Sequence, residues 1–193
     1  MTGHPRSVEE LTRALDAGKR FKYVYFWGNQ PPRGGGVGSG CLSQWWPSPF
    51  VVDDVRFATA EHYMMWRKAK LFGDDEVAAQ VLTAVHPKRA KDFGRRVRRF
   101  DEATWAACRR EIVVDGNVAK FAQHPDLGRY LTGTGDRVLV EASPVDRVWG
   151  VGLASDHPEV GKPRSWRGLN LLGFALADVR AQLGSRSGSP AAR

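Results

Sequence analysis

The stretch Ala60-Glu61-His62-Tyr63-Met64-Met65-Trp66-Arg67-Lys68-Ala69-Lys70 constrains this chain more than any other. It predicts a helix, with Thr59 placed to cap it through its hydroxyl. On a 3.6-residue period Glu61, Met65, Lys68 and Phe72 share one stripe. A carboxylate and an ammonium therefore lie on a face that also carries apolar groups. Burying ionisable groups costs free energy unless they pair or do chemistry. Helix ion pairs meet at three or four positions apart, and Glu61 and Lys68 are further apart than that. These two residues are the first candidates for catalysis.

The 193 residues suit one domain with a substantial core. The expected class is α+β, a single compact helix-rich domain with a small β-sheet. A net charge of +8, from 29 basic and 21 acidic side chains, favours anionic partners such as phosphates or nucleic acid. Two cysteines, Cys41 and Cys108, make neither a disulfide framework nor a metal site, and no CxxC or HExxH spacing occurs. No metal or cofactor is expected. No apolar run is long enough to span a bilayer and no secretory leader is recognisable, so a cytoplasmic protein is expected. A monomer is expected as well.

Along the chain, Ser7-Val8-Glu9-Glu10 has capping-box spacing and predicts a short helix to about Asp16. Lys22 to Trp27 reads as a strand. Gln30 to Gly40, rich in Pro and Gly, reads as a loop, and no Gly-Lys-Ser/Thr closes it as a phosphate loop would require. Phe50 to Phe57 reads as a tight hairpin turning at Asp53-Asp54. Helices are predicted from Asp74 to Leu82, and from Pro87 to Gly94 with Gly94 as C-cap. Others run from about Asp101 to Gln123, from Pro125 to Gly133, and from Leu169 to Leu183. Val138 to Glu141 reads as a strand. Residues 1–21 are expected to be an N-terminal extension bearing a short helix, 22–183 the domain, and 184–193 a flexible tail.

Four further clusters draw attention. Leu42-Ser43-Gln44-Trp45-Trp46-Pro47 sets two indoles side by side, and an indole can stack on a planar base or fill a core. Asp146, followed by Trp149, Gly150 and Gly152, reads either as a second carboxylate beside a close-approach backbone or as a turn-forming Asp. Asn170 suits a helix N-cap, a position where phosphate also binds. The basic run from Lys88 to Arg99 is dense enough for phosphate contact, with Arg95 the preferred member.

Taken in order, these pieces resemble the NADAR superfamily, also called YbiA-like proteins. The matching segments are Phe26-Trp27-Gly28, Leu42 to Phe50, Thr59 to Tyr63 with Lys68, Ala90 to Arg95, Lys120-Phe121-Ala122-Gln123, Glu141 to Pro144 with Asp146, Trp149 to Gly152, and Gly168 to Gly173. The resemblance implies an N-glycosidase that cleaves a base–ribose bond, either in ADP-ribosylated guanine or in phosphorylated ribosylamino-pyrimidines of riboflavin synthesis. It implies Lys68, Glu61 and Asp146 as catalytic residues. Trp27, Gly28, Ser43, Gln44, Trp45, Trp46, His62, Arg95, Trp149, Gly150, Gly152 and Asn170 are implied as substrate contacts. Gln44 departs from the more usual Asn. The segment Ala154 to Trp166 and the Gly-rich loop before Cys41 are longer than in compact members, and the former is expected at the mouth of a pocket.

Two chemical schemes fit these residues. In one, Lys68 attacks the sugar C1 and forms a Schiff base, its pKa lowered by burial and by Arg67 and Lys70, while Glu61 moves protons or holds the ribose. In the other, Glu61 and Asp146 flank the sugar and activate water. A module that binds ADP-ribose or NAD without cleavage is the reading from another class. It would need the aromatic and Arg contacts but not Glu61 and Lys68.

Overall fold

The computed structural model describes residues 4–187. In chain order it contains α1 (Val8–Asp16), β1 (Tyr23–Phe26), β2 (Phe50–Val52), β3 (Val55–Phe57), α2 (Ala60–Leu71), α3 (Asp75–Leu82), α4 (Pro87–Gly94), α5 (Glu102–Gln123), α6 (Pro125–Gly133), β4 (Val138–Glu141) and α7 (Leu171–Ser187). The class is α+β and helix-rich. Two units are distinguished, one running from Gln44 to Pro125 and the other joining the residues up to Ser43 with those from Asp126 onward.

The central unit is built on α2, which packs against α3, α4 and α5. Residues Ala60 through Met65 are all buried, so the first turn and a half of α2 is enclosed on every side rather than amphipathic. The β2–β3 hairpin lays Phe50 and Phe57 against Tyr63, with the Phe57 and Tyr63 rings edge-to-face at 5.1 Å. Burying each such ring contributes roughly 1.5–3 kcal/mol. Asp53 and Asp54 both have positive φ, 48° and 62°, which gives the two-residue turn that matches strand twist. Asp74 caps α3 and is gripped by the Arg98 guanidinium at 2.6 and 3.0 Å. That grip holds its carboxyl well below the usual range.

Helices α2 and α5 run antiparallel. The Tyr63 ring lies where a Cβ on Gly116 would stand, 2.4 Å away, while Lys68 reaches back to the Trp105 ring at 5.6 Å. Going backward on α2 is thus going forward on α5. A similar close approach occurs at Gly94, where a Cβ would meet the Met65 sulfur at 2.1 Å. Gly94 is therefore not the C-cap that its position in the sequence suggests. The helix ends at Arg95 in ordinary right-handed conformation, and Gly94 is there to admit Met65.

In the other unit β1 and β4 pair in parallel, Tyr23 opposite Val138 and Phe26 opposite Glu141. The small sheet expected from sequence is thus two separate two-stranded sheets. Leu11 of α1, fully buried, packs with Val138, Val140, Val151, Leu153 and Phe174. The segment before residue 22 therefore contributes to a core rather than simply preceding one. Ser7 caps α1 by accepting from the Glu10 N–H at 3.1 Å, but the Glu10 carboxylate turns to the Arg6 N–H instead of completing a reciprocal box. The segment from Ala154 to Trp166 folds through a short 3-10 turn at Pro163–Ser165, buries Val160, and is tied by the Trp166 indole N–H to the Val160 carbonyl at 2.7 Å. Helix α7 begins two residues later than expected and extends past Leu183 to Ser187. The rest of the expected tail, residues 188–193, lies outside the described residues.

Replacing Gly116 with Ala forces a methyl into the Tyr63 ring, and the expected loss is about 1–3 kcal/mol. Gly133→Ala, where nothing stands within 4 Å, is expected to be neutral or slightly stabilising. Urea unfolding of the two variants checks this, and equal stabilities would contradict the close approach of α2 and α5.

Candidate active site

The first turn of α2 needs partners for its free N–H groups. Thr59 stands at the N-cap position, but its hydroxyl does not cap. It bonds the His62 Nδ1 at 2.8 Å, and His62 Nε2 in turn meets the Ala84 carbonyl at 3.0 Å. A carbonyl only accepts, so Nε2 carries the proton and Nδ1 accepts from Thr59. His62 is thus a buried neutral imidazole with both nitrogens occupied, and burial lowers its pKa. It ties the start of α2 to the segment between α3 and α4.

The cap comes from elsewhere. The Glu61 N–H donates to the Gln44 carbonyl at 3.0 Å. The Gln44 side-chain oxygen accepts from Asn117 Nδ2 at 2.8 Å, and the same Nδ2 donates to the Val113 carbonyl at 2.8 Å. Gln44 therefore joins the start of α2 to the middle of α5. Two buried atoms in this link, Gln44 Nε2 and Asn117 Oδ1, have no hydrogen-bond partner within the protein. A donor and an acceptor are thus available in the network that fixes Glu61.

Glu61 itself is 2% exposed. Lys120, one helical turn beyond Asn117, is 0% exposed, with its Nζ 4.8 Å from the centre of the Phe121 ring. The antiparallel register carries α5 from Gly116 toward the N-terminal end of α2, which places Lys120 at the Glu61 end of that helix. Each is a buried ionisable group, one on α2 and one on α5. Lys120 and Asn117 were not among the site residues read from sequence. A helical projection finds them, since Trp105, Ile112, Gly116 and Lys120 follow one face of α5 and Asn117 borders it.

Lys68 lies at the other end of the stripe. Seven residues of helix separate it from Glu61, a rise of about 10.5 Å. The side chain is half-buried, its Nζ 4.1 Å from the Phe100 ring centre, and Phe72 meets Phe100 at 5.3 Å. Burial lowers the Lys68 pKa, with Glu102 partly opposing. The expected contribution of Arg67 and Lys70 is not found. Lys70 pairs with Asp75 at 2.5 Å, and Arg67 donates to the Tyr63 hydroxyl at 3.0 Å. A cavity of about 370 Å³ in this unit lies between Arg67, Cys108, Glu111 and Asp115, and neither Glu61 nor Lys68 lines it.

Of the remaining expected contacts in the central unit, Trp45 is half-buried with its ring edge-on to His86 at 6.5 Å. Trp46 is half-buried, and its carbonyl accepts from the Ser48 hydroxyl. Arg95 is exposed and only loosely paired with Asp92 at 3.5 Å.

The other unit holds the rest. Trp27 is 60% exposed after β1, and Gly28 follows with φ 75°. Ser43 closes a 3-10 turn by donating its N–H to the Gly40 carbonyl. Asp146 takes the turn reading, its Oδ1 accepting from the Val148 and Trp149 N–H groups at 2.9 and 2.8 Å. Trp149 is half-buried. Gly150 and Gly168 permit backbone to meet backbone, since a Cβ on Gly168 would stand 2.3 Å from the Gly150 carbonyl oxygen. Gly152 adopts φ +69°. Asn170 stands at the N-cap position expected, its carbonyl accepting from the Phe174 N–H at 3.2 Å, but its side chain bonds elsewhere. It is fully buried at φ 52°, accepts from the Glu141 N–H at 3.0 Å and donates to the Leu139 carbonyl at 2.9 Å, so its amide latches α7 to β4.

The His62 network carries a pH signature. The folded pKa lies below the ordinary 6.5, so the unfolded chain takes up the proton first. Stability from this group is present above pH 6.5 and is lost as the pH falls through that value toward the folded pKa. Urea unfolding near pH 7.5 and near pH 5 is expected to show less stability at the lower pH, and His62→Gln to remove part of the difference. An unchanged difference in that variant would contradict the neutral buried imidazole.

Comparison with known proteins follows the same outline. The NADAR domain model matches residues 25–184, most of the chain and parts of both units. An N-glycosidase of Acanthamoeba polyphaga mimivirus is 37% identical over 166 residues, covering 83% of this chain and 96% of its own. An N-glycosidase of Nostoc punctiforme is 31% identical over 144 residues, covering 75% of this chain and 85% of its own. The solution structure of Escherichia coli YbiA superposes with a TM-score of 0.69 at 25% identity, over 88% of this chain and 89% of that one. The buried Glu61 helix and the Asp146–Gly152 turn thus sit within a known architecture, and the chain belongs to the NADAR domain family.

Proposed function

We propose that this chain hydrolyses the N-glycosidic bond between a base and a ribose, with ADP-ribosylated guanine, in nucleic acid or as a free nucleotide, as its substrate. The activity class is that of the NADAR-family N-glycosidases it resembles. The observation that carries the reading is Glu61, a carboxylate 2% exposed in a helix turn whose capping atom comes from Gln44. A structural helix places a carboxylate in its first turn to face solvent or its own N–H groups. An enclosed carboxylate on a helix that also carries the half-buried Lys68 suits acid–base work on a bound sugar.

In the proposed reaction the Lys68 amine supplies the nucleophile. Its lowered pKa, caused by burial, raises the share of neutral amine at neutral pH. The Lys68 nitrogen lone pair forms a bond to the ribose C1 as the bond from C1 to the base breaks, and the proton that the nitrogen sheds on bonding passes to the departing base. The sugar ring opens to a Schiff base. Water then adds at C1 and releases the sugar with the amine restored. Glu61 moves the proton or holds the ribose hydroxyls.

Lys68→Ala is expected to abolish turnover of an ADP-ribosylated guanine oligonucleotide while its thermal melting stays close to that of the parent. Glu61→Gln is expected to lower kcat by about 10²–10⁴. Borohydride added during turnover is expected to trap a covalent adduct on the parent and not on Lys68→Ala. Absence of any adduct would remove the Schiff-base scheme. A parallel assay with a phosphorylated ribosylamino-pyrimidine decides the substrate, and cleavage of that compound alone would overturn the guanine reading.

A further inference from the structure

The basic run after α3 is unused by the chemistry above. Helix α4 buries Pro87, Ala90 and Gly94, and Val97 just beyond it is also buried. Its other side presents Lys88 and Arg89, and Arg95 and Arg96 follow directly at its C-terminal end, all four exposed. Two neighbouring cations are already committed. Arg98 is neutralised by Asp74 and Glu76, and Arg99 donates to the Gly73 carbonyl. Among the described residues Lys88, Arg89 and Arg96 have no carboxylate partner, and Asp92 is the one acid of this helix, set against Arg95 at 3.5 Å.

The cations are arranged around rings. The Arg89 guanidinium lies 4.5 Å from the centre of the Phe93 ring and that of Arg96 lies 5.9 Å from it. His86, exposed at the start of α4, meets the Trp45 ring at 6.5 Å. Two guanidiniums thus attend one ring of this segment, and an indole–imidazole pair stands at its start. Unpaired cations that track a phosphate backbone, with aromatic faces among them for bases, are how proteins hold single strands.

We propose that the exposed face of α4 and the turn that follows it, through Lys88, Arg89 and Arg96, docks a single-stranded nucleic acid, which delivers a polymer-borne base to the site. This rests on the glycosidase reading for its purpose but not for its test. The measurement is fluorescence anisotropy of an unmodified single-stranded DNA oligonucleotide titrated with the full chain at several salt concentrations. The parent is expected to bind with an affinity that falls as salt rises. The triple variant Lys88→Ala, Arg89→Ala, Arg96→Ala is expected to bind about tenfold or more weakly, and its slope of log affinity against log salt to be shallower by about 2, at ~0.7 per released phosphate contact. Its thermal melting and its turnover of a modified mononucleotide are expected to match the parent. An affinity and slope unchanged in the triple variant would overturn the proposal. A parent that hydrolyses neither the modified mononucleotide nor the modified oligonucleotide, yet binds the oligonucleotide through these three residues, would fault the glycosidase reading and leave the docking face standing.

Discussion

Gln44 is where the central unit is tied together. Its backbone carbonyl takes the Glu61 N–H that Thr59 leaves unsatisfied, and its side chain reaches Asn117 in the middle of α5. One residue outside any helix thereby fixes the start of α2, the helix that everything in the unit packs against. Thr59 is released to orient His62, and His62 anchors the same turn to Ala84. The position of Glu61 is the product of these bonds, not of helix propensity. An apolar residue at position 44 would leave Asn117 Nδ2 with the Val113 carbonyl alone, at the cost that a buried unmatched N–H carries.

Close backbone approach is the second device. Gly94 and Gly116 let α4 and α5 press on the side chains of α2, and Gly150, Gly168 and Gly173 do the same around β4 in the other unit. A Cβ on Gly173 would stand 2.0 Å from the Leu139 carbonyl, the same carbonyl that receives the Asn170 amide. Asn170 and Gly173 together seat the first turn of α7 against β4. The glycines of this family motif act first as packing devices, and the polar side chains beside them bond backbone.

Much of this was legible in the chain itself. The bounds of α4 and β4, the Asp53-Asp54 turn and the length of α5 follow from proline placement, paired turn residues and apolar period. The partnership of β1 with β4 was not legible, because strands joined across more than a hundred residues leave no local pattern. Thr59 and Asn170 look like caps in sequence, and both stand at helix starts. Their side chains answer to tertiary partners, His62 for one and the β4 backbone for the other, and no local rule predicts that choice. Gly94 has the signature of a C-cap because sequence does not show Met65 pressing on it.

The candidate site divides in the same way. Glu61 stands out in sequence because a carboxylate on an apolar stripe is costly, and it is buried as that argument requires. Lys120 lies in a segment that carries the family resemblance, but nothing local in the sequence shows that its ammonium is fully enclosed. The central claim is that the enclosed Glu61 meets ribose. A crystal structure of the Lys68→Ala variant with ADP-ribose tests it most directly. The account predicts a Glu61 carboxylate oxygen within about 3.2 Å of a ribose oxygen. ADP-ribose bound with its ribose remote from Glu61 would contradict it.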